Sequence, residues 1–162
     1  MAIIRTVSLV SVLALGLAGC GTGTDENERG SERPAAIEAP VIGTDMPMPV
    51  DDPFCTFTAD AEAGAPPYVF VTQIGESIYY GYAELDGEVT RLTEVEAGFG
   101  AGIETRRYVT EDEGAELEVI LLETGAEAER ITYSGSVRAI FPVEGAAVKF
   151  IGECRAAGEI DE

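Results

Sequence analysis

The sequence predicts an all-β domain, a small antiparallel β-sandwich or barrel of about seven to nine strands, following a signal peptide and a disordered tether. Three observations predict it. Short runs rich in β-branched and aromatic residues recur between residues 68 and 154. Turn residues separate them at fairly even spacing, and Asp86-Gly87 is of the two-residue hairpin type. The run beginning at Glu116 alternates so that Leu117, Val119 and Leu121 share one face. Sequential hairpins with this rhythm build sandwiches or small barrels.

Taken in order, residues 68–73 (YVFVTQ) and 78–85 (IYYGYAEL) are strands, and Asp86-Gly87 turns the second into a third at 89–95. The tyrosines at 79, 80 and 82 fall on both faces of their strand, which suits packing across strands. A glycine-rich hairpin loop, Gly98 to Gly102, leads into a strand at 104–110, and Asp112-Glu113-Gly114 turns the chain again. Residues 115–124 also tolerate helix by composition, but their alternation and flanking glycines favour strand. Two shorter strands, 130–133 and 137–140, flank Ser134-Gly135-Ser136, read as a bulge or bend. Residues 148–154 close the domain.

The first nineteen residues have a different character. A single charge, Arg5, precedes an apolar run from Val7 to Leu17, and small residues lead to Cys20. This is a secretory signal layout, too short for a transmembrane helix, which needs about 20 apolar residues. The motif Leu17-Ala18-Gly19-Cys20 resembles the lipobox of bacterial lipoproteins. That resemblance implies cleavage before Cys20, lipidation of Cys20 and anchorage to the cell envelope. Gly21 after the cysteine resembles the outer-membrane signal, with the domain facing the periplasm. The expected organisation is a signal peptide at 1–19, lipidated Cys20 with a Pro/Glu-rich disordered tether at 20–53, a β-domain at 54–155 and an acidic tail at 156–162. Met46-Pro47-Met48-Pro49 is read as part of the tether.

With Cys20 lipidated, two cysteines remain in an oxidising compartment, and a Cys55–Cys154 disulfide is expected. It joins the two ends of the folded region and closes a loop for which chain entropy alone gives roughly 4–5 kcal/mol.

The chain carries thirty acidic and ten basic residues, a net charge of −20. Such a field repels nucleic acid and anionic membranes and attracts cations and basic proteins. It also keeps a surface hydrated in salt. There is no histidine, so the Ser-His-Asp and Cys-His arrangements and the usual general base at neutral pH are excluded. Paired cysteines leave no thiol nucleophile, and Lys149 is the only lysine, on an alternating strand where it faces solvent. Gly98, Gly100 and Gly102 are spaced G-x-G-x-G before a strand, so the helix N-terminus that cradles phosphate is missing. Glu111-Asp112-Glu113 lacks the alternate-oxygen spacing of a calcium loop and reads as a solvated turn. No catalytic residue, metal ligand or cofactor is assigned, and the domain is expected not to be an enzyme.

The expected role is therefore binding. The partners are the membrane, through the N-terminal lipid, and an envelope protein or basic protein; nucleic acid is not expected. The interaction loop is placed at Phe99, Gly100 and Gly102, with Arg107 and Tyr108 downstream. In gross architecture, and in this loop followed by Arg107-Tyr108, the chain resembles bacterial inhibitors of C-type lysozyme. It departs from that family in a longer spacing between loop and pair and in having no tryptophan. The resemblance implies an acidic inhibitor of a basic enzyme. A carrier of a small apolar ligand and an assembly factor for envelope machinery are the other readings.

Overall fold

A computed structural model describes residues 36–59 and 65–156. The lipobox, with Cys20, and the acidic tail beyond residue 156 lie outside the described residues. Eight strands follow in chain order: β1 (Cys55–Thr58), β2 (Phe70–Ile74), β3 (Tyr79–Leu85), β4 (Glu88–Gly100), β5 (Ile103–Thr110), β6 (Glu116–Ala126), β7 (Arg130–Phe141) and β8 (Val148–Arg155). Each pairs antiparallel with its sequence neighbours, and β8 returns to pair with β1, which closes the barrel. Closure decides between the two all-β architectures that the sequence allows, and it leaves no sheet edge exposed to pair with another chain. No α-helix occurs among the described residues, and 115–124 lie along β6 as expected.

The period of two sorts the side chains into the barrel or out of it. Phe57, Phe70, Leu92, Tyr108, Leu117 and Val137 are fully buried at its centre. The rings of Phe57 and Phe150 lie 4.6 Å apart, and those of Phe70 and Tyr108 meet edge-on at 5.1 Å. Eight strands enclose an interior that side chains of this size fill. The Cys55–Cys154 disulfide is present, and the two residues are direct partners across the β1–β8 seam.

Three local expectations are corrected. Ser134-Gly135-Ser136 is not a bulge but runs in register through the middle of one long strand, β7. Gly135 is there because a Cβ would collide with the Ile120 carbonyl oxygen and the Phe150 ring. Gly98 and Gly100 belong to β4, so the hairpin loop shrinks to Ala101 and Gly102, both with positive φ (51° and 79°). The same left-handed pair occurs at Asp86 and Gly87, where the sequence signalled a two-residue turn.

The third correction concerns residues 36–53, assigned to the tether. They pack against the barrel. Ile42 bridges Leu85 and joins the main core, while Val41 and Gly43 exchange backbone hydrogen bonds with Asp86 and Glu84. Met46 bridges Tyr68 and is fully buried in a second cluster with Tyr68 and Val71, flanked by Val50 and Tyr82. Val71 alternates with the inward Phe70 and Thr72, so this cluster lies outside the barrel wall. Proline-rich composition here reflects an extended strap that buries Ile42 and Met46 rather than a stretch without burial. The strap meets the barrel at the end that carries the β3–β4 turn, where a wide groove of about 750 Å³ lies between the strap, the start of β4 and the β5–β6 turn. The opposite end, where β4 turns into β5 and β6 into β7, is the open end.

Candidate functional site

Near the open end the inward face changes character. Along β5, Glu104 and Arg106 share the inward face with Tyr108, where a filled core would have apolar residues. They line a cavity of about 150 Å³ whose apolar walls are Phe54, Val119, Leu121, Ile131 and the Cys55–Cys154 bridge; Thr72, Tyr133 and Arg155 also border it. Its depth is set by Phe57, Phe70 and Tyr108 below.

Arg106 organises the polar wall. Its Nη1 donates to Glu94 Oε2 at 2.9 Å, its Nε donates to Glu104, and the guanidinium lies over the Tyr79 ring at 5.5 Å. Glu94 Oε2 also accepts the Tyr108 hydroxyl at 3.0 Å. All three charged side chains of this network are largely buried. Burial opposes the charge on Arg106, but Tyr108, Glu94 and Glu104 outweigh it and raise its basicity above that of a free arginine. Burial, with the Glu94 charge, pushes the Tyr108 hydroxyl far above its usual range against the pull of Arg106. Burial and the Glu104 and Glu123 charges raise Tyr133 as well. At the rim Arg155 pairs with Asp52 at 2.9 Å, and Arg130 with Glu153 at 2.9 Å.

The β4–β5 hairpin extends past this polar wall. Glu94 pairs with Tyr108 but Glu96 pairs with Arg107, so Val95 is an extra residue. Such a bulge shifts the alternation by one. Its effect is to put Phe99, opposite Glu104, on the cavity side in place of Gly98. Phe99 is 76% exposed, the highest value among the exposed large apolar side chains.

Of the residues singled out from the sequence, Phe99, Gly100 and Gly102 lie together at the hairpin tip. Arg107 does not join them: it faces outward and pairs with Glu96 at 2.9 Å and with Glu116. Tyr108 is a core residue with no exposed surface, which removes it from any contact surface. The sequence reading missed Glu94, Glu104, Arg106 and Tyr133. The available signal was Glu104-x-Arg106-x-Tyr108, polar residues on the face of a strand that the alternation assigns to the interior. Among the described residues no three of His, Cys, Asp and Glu converge on a common metal position.

All six described arginines make ion pairs with carboxylates, and carboxylates remain in excess. The chain matches no family model, and no curated protein or solved structure matches it.

Proposed function

We propose that this is a lipid-anchored cell-envelope protein whose barrel is a non-catalytic binding module, and that it engages a protein partner through its open end. The observation that carries this reading is the pairing of a small cavity with an exposed aromatic at its mouth. Pockets that enclose whole small molecules measure roughly 300–1,000 Å³. A cavity of about 150 Å³ holds one large side chain. For this cavity, that argues for an anchor residue from a protein rather than a carried ligand; the groove of about 750 Å³ at the other end is wide and open to solvent. Phe99, on the cavity side of β4 just before the two-residue turn, is an exposed aromatic of the kind enriched at protein interfaces. A site without histidine or free thiol, whose buried charges are already paired, has little to offer a reacting group.

The test is site-specific photo-cross-linking in the cell envelope. A photoreactive residue at position 99 is expected to give discrete protein adducts, and one at Val89, beside the β3–β4 turn at the opposite end, is expected to give none. Equal labelling from both positions, or none from either, would refute the open-end reading.

The acidic inhibitor of a basic enzyme is a second form of the same reading, favoured by the excess of carboxylates over arginines. It rests on charge alone, because Tyr108 is buried and Arg107 is turned away from the hairpin tip. Inhibition of lysozyme by the soluble protein in low-salt buffer is its direct assay; absence of inhibition there ends it.

A further inference from the structure

The cavity at the open end also indicates what enters it. We infer that it receives an uncharged aromatic ring, the side chain of a phenylalanine presented by the partner; this rests on the open-end reading above. An apolar cavity of roughly 150 Å³ is large enough to take a benzene ring, and this one measures about 150 Å³. Its lining is itself aromatic. Phe57, Phe70 and Tyr108 lie at its floor, and Phe54 and Tyr133 stand at its sides. A ring entering among rings gains edge-to-face and offset contacts beyond the area it buries. Val119, Leu121 and Ile131 complete the apolar surface.

The charges in the lining select against ionised guests of either sign. They are Glu104, Arg106 and Arg155. Rings alone would also suit an ammonium group. Here a cation would face two guanidiniums against one carboxylate, and Arg106 already holds that carboxylate. An anion would find both guanidiniums engaged, Arg106 by Glu94 and Glu104 and Arg155 by Asp52. The net charge of −20 repels it as well. Either ion would give up water without an unpaired counter-charge to receive it, a cost that a neutral ring does not carry. The mouth continues the apolar surface. Ile74 and Tyr79, partners across β2 and β3, are exposed at this end together with Phe99. A phenylalanine set in an apolar segment of the partner would seat its ring in the cavity and its neighbours on that rim.

The probes are toluene, which reproduces the phenylalanine side chain, its saturated counterpart methylcyclohexane, and the charged benzylammonium and benzoate. Each is titrated into the oxidised mature chain carrying Cys20→Ser and followed by NMR. Toluene is expected to give saturable amide shifts centred on Thr72, Leu121 and Tyr133, with nuclear Overhauser contacts from its ring to the Val119 and Leu121 methyls. Methylcyclohexane should bind at least about threefold more weakly. Both ions should bind at least about tenfold more weakly than toluene. Ile131→Phe, which fills the cavity from its wall, should abolish saturation by toluene. The Overhauser contacts locate the site without that substitution and keep the test sound if Ile131→Phe perturbs the fold. Either ion or methylcyclohexane inside those margins, toluene contacts elsewhere on the barrel, or no saturable shift with toluene overturns the inference. Cross-links from position 99 without toluene binding would sink this inference alone and leave the open-end reading standing. Toluene binding without cross-links would retain the ring-selective cavity and remove the protein partner.

Discussion

Cys55 and Cys154 stand directly opposite each other across the seam where the first strand meets the last, so the disulfide locks the one strand pair that joins the two ends of the barrel. Every other neighbouring pair in the sheet is joined by a local connection. The β1–β8 pair must instead be brought together across 99 residues, and it is where loop-closure entropy opposes the fold most.

Replacing both cysteines by serine is therefore expected to lower stability by about 2–5 kcal/mol while preserving the strand order. Urea unfolding with and without reductant measures it. A midpoint unmoved by reduction would mean that the barrel closes on packing alone.

Arg106→Met is expected to destabilise by about 2–4 kcal/mol, because it leaves Glu94 and Glu104 largely buried without their cation. The range sits below that of a fully buried pair because Arg106 retains some solvent contact. Adding Glu104→Gln to the same chain should recover part of the loss. Chemical denaturation of the two variants decides it; no recovery would show that packing of the Arg106 stem, rather than its charge, stabilises this wall.

Two groups set the response to pH at the extremes. The Thr110 hydroxyl and then the Gly114 amide donate to Asp112 and hold its carboxyl below the usual aspartate range. The stability it adds is present above the pKa of a free aspartate and is lost as pH falls through the lower folded value. The melting-temperature gap between wild type and Asp112→Asn should close on acidification across that window.

At the other extreme, the Tyr108 hydroxyl is raised above its ordinary value of 10.0, so the fold favours the protonated form. That contribution is complete below pH 10.0 and is lost as pH rises above it, where the unfolded chain ionises first. Tyrosinate absorbance should show one tyrosine that titrates only together with loss of near-ultraviolet circular dichroism. A full tyrosine titration in a chain that remains folded would contradict the burial of Tyr108.

Salt should raise the melting temperature at neutral pH. The described arginines are already paired and the remaining carboxylates repel one another, so screening relieves more repulsion than it weakens attraction across exposed pairs worth about 0–1 kcal/mol each. A midpoint independent of sodium chloride would show that the excess charge is too dispersed to matter.

Much of the barrel was legible along the chain because its strands pair with sequence neighbours. A turn at Asp86-Gly87 and the alternation of Leu117, Val119 and Leu121 are local facts, and in an up-and-down barrel local order is also spatial order. The Cys55–Cys154 pairing was expected for another reason: the lipobox resemblance set Cys20 aside for lipid and left two cysteines to join. The strap at 36–53 was not legible: the barrel creates the surfaces that bury Ile42 and Met46, and composition registers only the prolines. Gly135 was misread because a glycine in a strand marks either a bulge or a close approach, and only the packed Phe150 distinguishes them.

The sequence by itself determined an all-β domain, its acidic charge and its lack of histidine chemistry, since each follows from residue type or local period. Tertiary structure alone decided that the sheet closes, that the extra residue Val95 turns Phe99 toward the mouth, and that Glu94, Glu104 and Arg106 meet inside. Those outcomes depend on register between strands, and register is a relation between distant residues that no single stretch of chain contains.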